Sequence, residues 1–130
     1  MIEQRQYAGE GLSLVYDEGE WVIGIKNYKA ANDISALRTL ERHNLTDESF
    51  VLLEGSCTLL VYDKERGTLT YSSMEPGSVY TISRGIWHTT VMKPNTKMIL
   101  IERSGTSLDN SDLLDLPIEK IREAQKSIAY

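Results

Sequence analysis

The chain has 130 residues, enough for one domain with one sizeable core and too few for two. Fourteen basic residues against nineteen acidic ones leave a net charge of −5. The basic residues are scattered singly, so no patch can track a phosphate backbone, and a nucleic-acid partner is not expected. No apolar run is long enough to span a bilayer, and the N-terminal MIEQRQYAGEG has no charged-then-apolar leader pattern. The one cysteine, Cys57, sits in an apolar segment and reads as a buried, inert thiol. These features together set the expectation of a cytoplasmic protein with no membrane partner.

Turn signals recur along the chain at Asp17–Glu20, Asp63–Gly67, Glu75–Gly77, Ser83–Gly85 and Lys93–Thr96. Between them lie short segments rich in β-branched, aromatic and leucine residues. In chain order they are Leu12–Tyr16, Trp21–Lys26, Ser49–Leu53, Cys57–Tyr62, Thr68–Ser72, Ser78–Ile82, Trp87–Met92 and Met98–Glu102. Many short strands separated by Gly/Pro turns predict an all-β sandwich or small antiparallel barrel, with its core between about residues 12 and 103.

The stretch from Lys29 to Thr39 has apolar residues at helical spacing, but Asn32, Asp33 and Ser35 disfavour a helix interior. It reads as an irregular approach to a strand from about Leu37 to His43. Ser104–Asp115 is polar and acidic and reads as a loop. Beyond Pro117, a residue suited to a first helical turn, Ile118, Ile121, Ala124 and Ile128 recur at helical spacing. They predict a short amphipathic helix laid on the outside of the barrel, so that residues 1–130 form a single domain.

Alternation within strands gathers the chemistry. Glu41 and His43 share one strand face, Glu48 shares a face with Phe50 and Leu52, and His88 shares one with Thr90 and Met92. A barrel turns one face of every strand inward, so both histidines of the chain and two carboxylates can point into one cavity. Phe50, Tyr80, Thr90 and Met98 are candidates for the walls of a substrate pocket, each of which also reads simply as barrel core. Trp87, on the opposite face from His88, is expected under another element or a second subunit.

The spacing of these residues resembles that of the cupin family from about residue 37 to 102. The family's first motif is His-x-His, three or four residues, Glu, six residues, Gly. It is matched here by Glu41-x-His43, four residues, Glu48, six residues, Gly55. The second motif is Gly, five residues, Pro-x-Gly, two residues, His, three residues, Asn. Gly77, Ser83, Gly85 and His88 fall at its offsets. Glu41 replaces the first histidine, Ser83 the proline and Met92 the final asparagine.

The resemblance implies a double-stranded β-helix, or jelly roll, holding one divalent metal. His43, Glu48 and His88 would be the ligands, with Glu41 as a fourth ligand or a catalytic base. Two imidazoles with carboxylates favour Fe(II), Mn(II) or Zn(II) over Cu(I). It also implies a homodimer and a small-molecule ligand. Three functions follow as expectations. The first is a metal-dependent enzyme of the dioxygenase, isomerase or lyase class acting on a small polar metabolite. The second is a non-catalytic binding or sensor module that has lost a complete metal site. The third is a metal-free sugar epimerase or isomerase with Arg38, Arg42 and Arg84 as its basic patch.

Overall fold

In a computed structural model of the chain, residues 1–128 are described. The β-rich segments form ten strands among these residues. They are β1 (Gly11–Asp17), β2 (Trp21–Asn27), β3 (Thr39–His43), β4 (Glu48–Glu54), β5 (Cys57–Asp63), β6 (Thr68–Ser73), β7 (Val79–Ile82), β8 (Trp87–Met92), β9 (Lys97–Arg103) and β10 (Ser111–Asp115). Sheet I has the order β1-β2-β9-β4-β7 and sheet II the order β10-β3-β8-β5-β6. All paired neighbours are antiparallel. The architecture is the expected all-β jelly-roll barrel with one short C-terminal helix, α1 (Ile118–Ser127).

Period-2 alternation divides the apolar residues into two cores. Phe50, Leu52, Leu59, Met92, Met98 and Leu100 turn inward and fill the space between the sheets. Leu40, Leu60, Tyr62 and Val91 turn outward from sheet II and lie under Ile34, Leu37, Leu116, Ala124 and Ile128. Each fully buried leucine or isoleucine in these layers contributes roughly 2 kcal/mol through removal from water. The helix is therefore the lid of a second core rather than an appendage. Ala124 is fully buried beneath it, while Ile118, at the start of the helix, is turned to solvent. Trp87 packs against the helix-side core with the Arg42 guanidinium 4.4 Å from its ring centroid, so cover comes from within the chain.

Two local expectations are corrected. The third strand begins at Thr39 and not Leu37, because Leu37 turns into the helix-side core. Two short 3-10 turns, Ala30–Asn32 and Ile34–Ala36, precede it. The Asp33 carboxylate accepts from the Ser35 backbone N–H at 3.0 Å and caps the second turn. The acidic stretch before the helix is not a plain loop, since it contains β10. There Leu114 packs on the helix-side core, and the flanking acids are satisfied by β3: Arg42 reaches Asp112 at 2.8 Å and Thr39 donates to Asp115 at 3.0 Å. Charge on a strand suits a sheet edge, where it blocks further pairing.

Gly55, the glycine of the first motif, has φ +81°, and a Cβ there would come within 2.5 Å of the Thr96 Cα. Only glycine fits that turn, which locks to the β8–β9 turn through Thr96 and Ser56. Among the described residues no helix is long and apolar enough to cross a membrane.

Candidate metal centre

The site forms where the two sheets face each other across the barrel. Sheet II supplies Glu41 and His43 from β3 and His88 from β8; sheet I supplies Glu48 from β4. Glu41 and His88 are direct partners in register, and theirs is the single paired position between β3 and β8. One ligand atom from each of these four residues lies within 4.8 Å of all the others. His43, Glu48 and His88 are buried at 7%, 5% and 2% exposure, while the Glu41 side chain remains 41% exposed.

The turns around the site aim these groups. The Asp47 carboxylate accepts the Arg84 backbone N–H at 2.9 Å and fixes the Ser83–Gly85 turn before His88. The Gly85 N–H donates to the His43 carbonyl at 2.8 Å, tying the two histidine-bearing segments together. Ser83, in the family's proline position, still makes the turn, with Ile86 N–H reaching its carbonyl at 3.3 Å.

Each imidazole is oriented through its Nδ1. In His43 it contacts the Ser111 hydroxyl at 2.8 Å, and in His88 it lies 2.9 Å from the Ile86 carbonyl. A carbonyl can only accept, so His88 Nδ1 carries a proton and Nε2 is the atom turned to the site. That Nε2 faces the Glu48 carboxylate at 3.0 Å, and His43 Nε2 lies 3.3 Å from the same oxygen. Two imidazoles this close to a buried carboxylate must share a positive charge with it, brought by a proton or by a cation. His43 Nε2 has no hydrogen-bond partner among the described residues, although it is buried.

Electrostatics point the same way. Burial opposes charge on Glu48, but the imidazoles of His43 and His88 facing it outweigh that effect and hold the carboxyl well below the usual range. The nearby Glu48 carboxylate raises the His43 pKa against the effect of burial. A fifth group, Glu102 of β9, lies 4.0 Å from His43 Nε2 and is 7% exposed. Burial, and then the neighbouring Glu48, push its pKa up to about 8. Its Oε2 has no partner among the described residues. Two imidazole Nε2 atoms aimed at one point, surrounding carboxylates and unpartnered buried atoms fit a divalent cation, by the chemistry of the donor set.

A cavity of about 280 Å³ opens onto Glu41, Glu48 and His88 between the edge strands β1 and β10. Phe50 and Thr90 line it. Tyr80 and Met98 are elsewhere: the Tyr80 hydroxyl accepts the Glu75 backbone N–H at 2.8 Å, and Met98 is fully buried in the inner core. A wider depression of about 770 Å³ at the Thr46–Arg84 end meets the cluster only through Glu102. The arginines of the expected basic patch do not line the cavity. Arg42 pairs with Asp112 on the outer side and Arg84 pairs with Asp47.

Sequence reasoning missed Glu102, Ser111 and Lys26. Glu102 continues the inward face of Met98 and Leu100, and Lys26 continues that of Val22 and Gly24, so strict alternation could have found both. Lys26 lines the cavity and donates to the Thr90 hydroxyl at 2.9 Å; burial lowers its pKa. Cys57 is inert as expected, buried and with its thiol pushed up to about 12, first by burial.

No family model matches the sequence, and no curated protein matches it. Solved structures do. The iron(II) form of HppE aligns with a TM-score of 0.55 at 14% identity, over 70% of this chain and 48% of that one. KdgF from Halomonas sp. aligns at 0.53 and 12% identity, over 78% of this chain and 87% of that one. Oxalate decarboxylase OxdC from Bacillus subtilis aligns at 0.57 and 14% identity, over 86% of this chain and 31% of that one. The chain thus spans about half the length of HppE and a third of the decarboxylase. At such identities the likeness concerns the backbone, and with the two facing sheets it establishes that this chain has the cupin fold.

Proposed function

We propose that the chain binds one divalent metal through His43, Glu48 and His88, with Glu41 as fourth ligand, and acts as a metal-dependent enzyme on a small polar metabolite. The observation that carries this reading is the convergence of two oriented imidazoles and two carboxylates within 4.8 Å, with Glu41, Glu48 and His88 of that group lining a cavity. Similarity of fold to the iron(II) protein HppE supports it. Fe(II), Mn(II) and Zn(II) suit the donor set; any of them would polarise a bound oxygen group of the substrate.

The chain's own residues then have distinct tasks. Ser111 and the Ile86 carbonyl hold the imidazole planes in place. Phe50 and Leu100 give the cavity a dry wall, which strengthens electrostatic interactions inside it. Glu41, the most exposed of the four, completes the donor set on the cavity side. The reaction belongs to the dioxygenase, isomerase or lyase class.

Metal analysis of freshly purified protein tests the proposal. About one equivalent of Fe, Mn or Zn is expected per chain, falling below about a tenth in the His43→Ala, His88→Ala double variant. A wild-type protein that takes up none of the three, even after anaerobic reconstitution, overturns it.

A further inference from the structure

Lys26 puts an amine in the wall of a barrel. It lies on the inner face of β2, in register between Leu12 and Met98, and lines the same cavity as Glu41, Glu48 and His88. Its Nζ donates to Thr90 Oγ1 at 2.9 Å, yet it forms no salt bridge among the described residues. Thr90 is 3% exposed and stands two positions from His88 on the same strand face. That places the two side chains about 7 Å apart along the strand. Asn32, from the turn at the cavity mouth, donates Nδ2 to the Thr90 carbonyl at 3.3 Å and leaves its Oδ1 buried without a partner.

Charge counting gives this arrangement a direction. Glu48 and Glu41 are the acids acting on Lys26. A divalent cation bound between those carboxylates and two neutral imidazoles cancels their charge, so the Lys26 ammonium is left uncompensated. Lys29 at the rim adds to the same sign. The cavity of about 280 Å³ has room for a ligand displacing about nine waters at their liquid volume, so a molecule of a few carbons fits.

We propose that Lys26 anchors the carboxylate of a small anionic substrate whose other end reaches the metal-binding group. The substrate class is then a short-chain carboxylic acid with a second oxygen function, and not a neutral sugar or an amine. The Asn32 Oδ1 offers that ligand an acceptor for a hydroxyl. The inference rests on the metal reading above.

The test uses the full chain loaded with Co(II), whose visible absorption reports both metal binding and changes in its surroundings. Succinate serves as the anionic probe and succinamide as its neutral counterpart, with affinity measured by calorimetry. Succinate is expected to bind the wild type and perturb the Co(II) spectrum. Lys26→Met should weaken it by about tenfold or more with Co(II) affinity unchanged, and Lys26→Arg should restore most of the loss. Succinamide should bind weakly to every form. Equal succinate affinity in wild type and Lys26→Met, or no succinate binding by a protein that holds Co(II), overturns the Lys26 assignment alone. Failure to bind Co(II) before any succinate is added overturns the metal reading, and this inference with it.

Discussion

The centre of the site is one carboxylate, Glu48, shared by two imidazoles at 3.0 and 3.3 Å. Without a metal, protons must supply the positive charge, and this gives the protein a particular pH dependence. Glu102 binds its proton more tightly folded than unfolded, with a value moved from 4.5 to about 8. Its contribution to stability is therefore full at low pH and declines as pH rises across that interval. His43, raised above 6.5, acts in the same sense: it stabilises below its unfolded value and the effect is lost as pH rises through its folded one. Glu48, lowered from 4.5, acts oppositely, stabilising above its unfolded value and losing that effect as pH falls. Metal-free protein should thus be most stable near about pH 5 to 6 and melt at progressively lower temperature towards pH 8. With Zn(II) the trend should reverse, since protons compete with metal for the same nitrogens. Calorimetric melting in chelator and in excess Zn(II) checks both, and Glu102→Gln should flatten the metal-free slope. A metal-free melting temperature that climbs from pH 5.5 to 8 would contradict this assignment of charges.

At the scale of elements, the edge strand β10 contributes more to the site than its composition announces. It pairs with β3 from Ser111↔His43 to Asp115↔Thr39, and its first residue holds the His43 ring. Ser111→Ala is expected to weaken metal binding by about 10- to 100-fold while leaving the melting profile of the metal-free protein nearly unchanged. Competition against a chelating dye measures the first, and an unaltered affinity would remove Ser111 from the centre.

This strand also shows where the sequence stops being legible. The barrel was readable because Gly55, Gly77 and Gly85 punctuate segments whose inward residues alternate, and Glu41, His43, Glu48 and His88 all fall on inward positions. Strand period allowed their convergence, and the cupin-like motif spacing singled these four out. β10 was hidden because Asp112 and Asp115 look like loop residues until Arg42 and Thr39 of the neighbouring strand are in place. Lys26 and Glu102 were overlooked because a charged residue at a strand end reads as the start of solvent, even where alternation puts it on the inward face.

For the whole molecule, the outer surface of sheet I stands apart from the helix-covered sheet II. Ile23 and Ile101, then Ile25, Ile99, Val51 and Val79, form adjacent cross-strand rows along that face, with Ile101 43% and Val79 68% exposed. No charged residue falls within these rows; the charges of β9 on this face, Lys97 and Arg103, flank them. We propose this face as the seat of the homodimer expected from the sequence. Sedimentation equilibrium should return twice 14.7 kDa for the wild type and the single mass for Ile101→Lys, whereas a wild-type monomer at tens of micromolar would reject it. The division of the centre between the sheets has a kinetic meaning as well. Glu48 stands on one sheet and His43 and His88 on the other, with His88 forty residues along the chain from Glu48, so a bound ion would rivet the two sheets together. Such a rivet can be set only after both sheets have met, late on the folding route. It would then act as a brake on opening, lengthening the lifetime of the folded state while the speed of folding stays as it was.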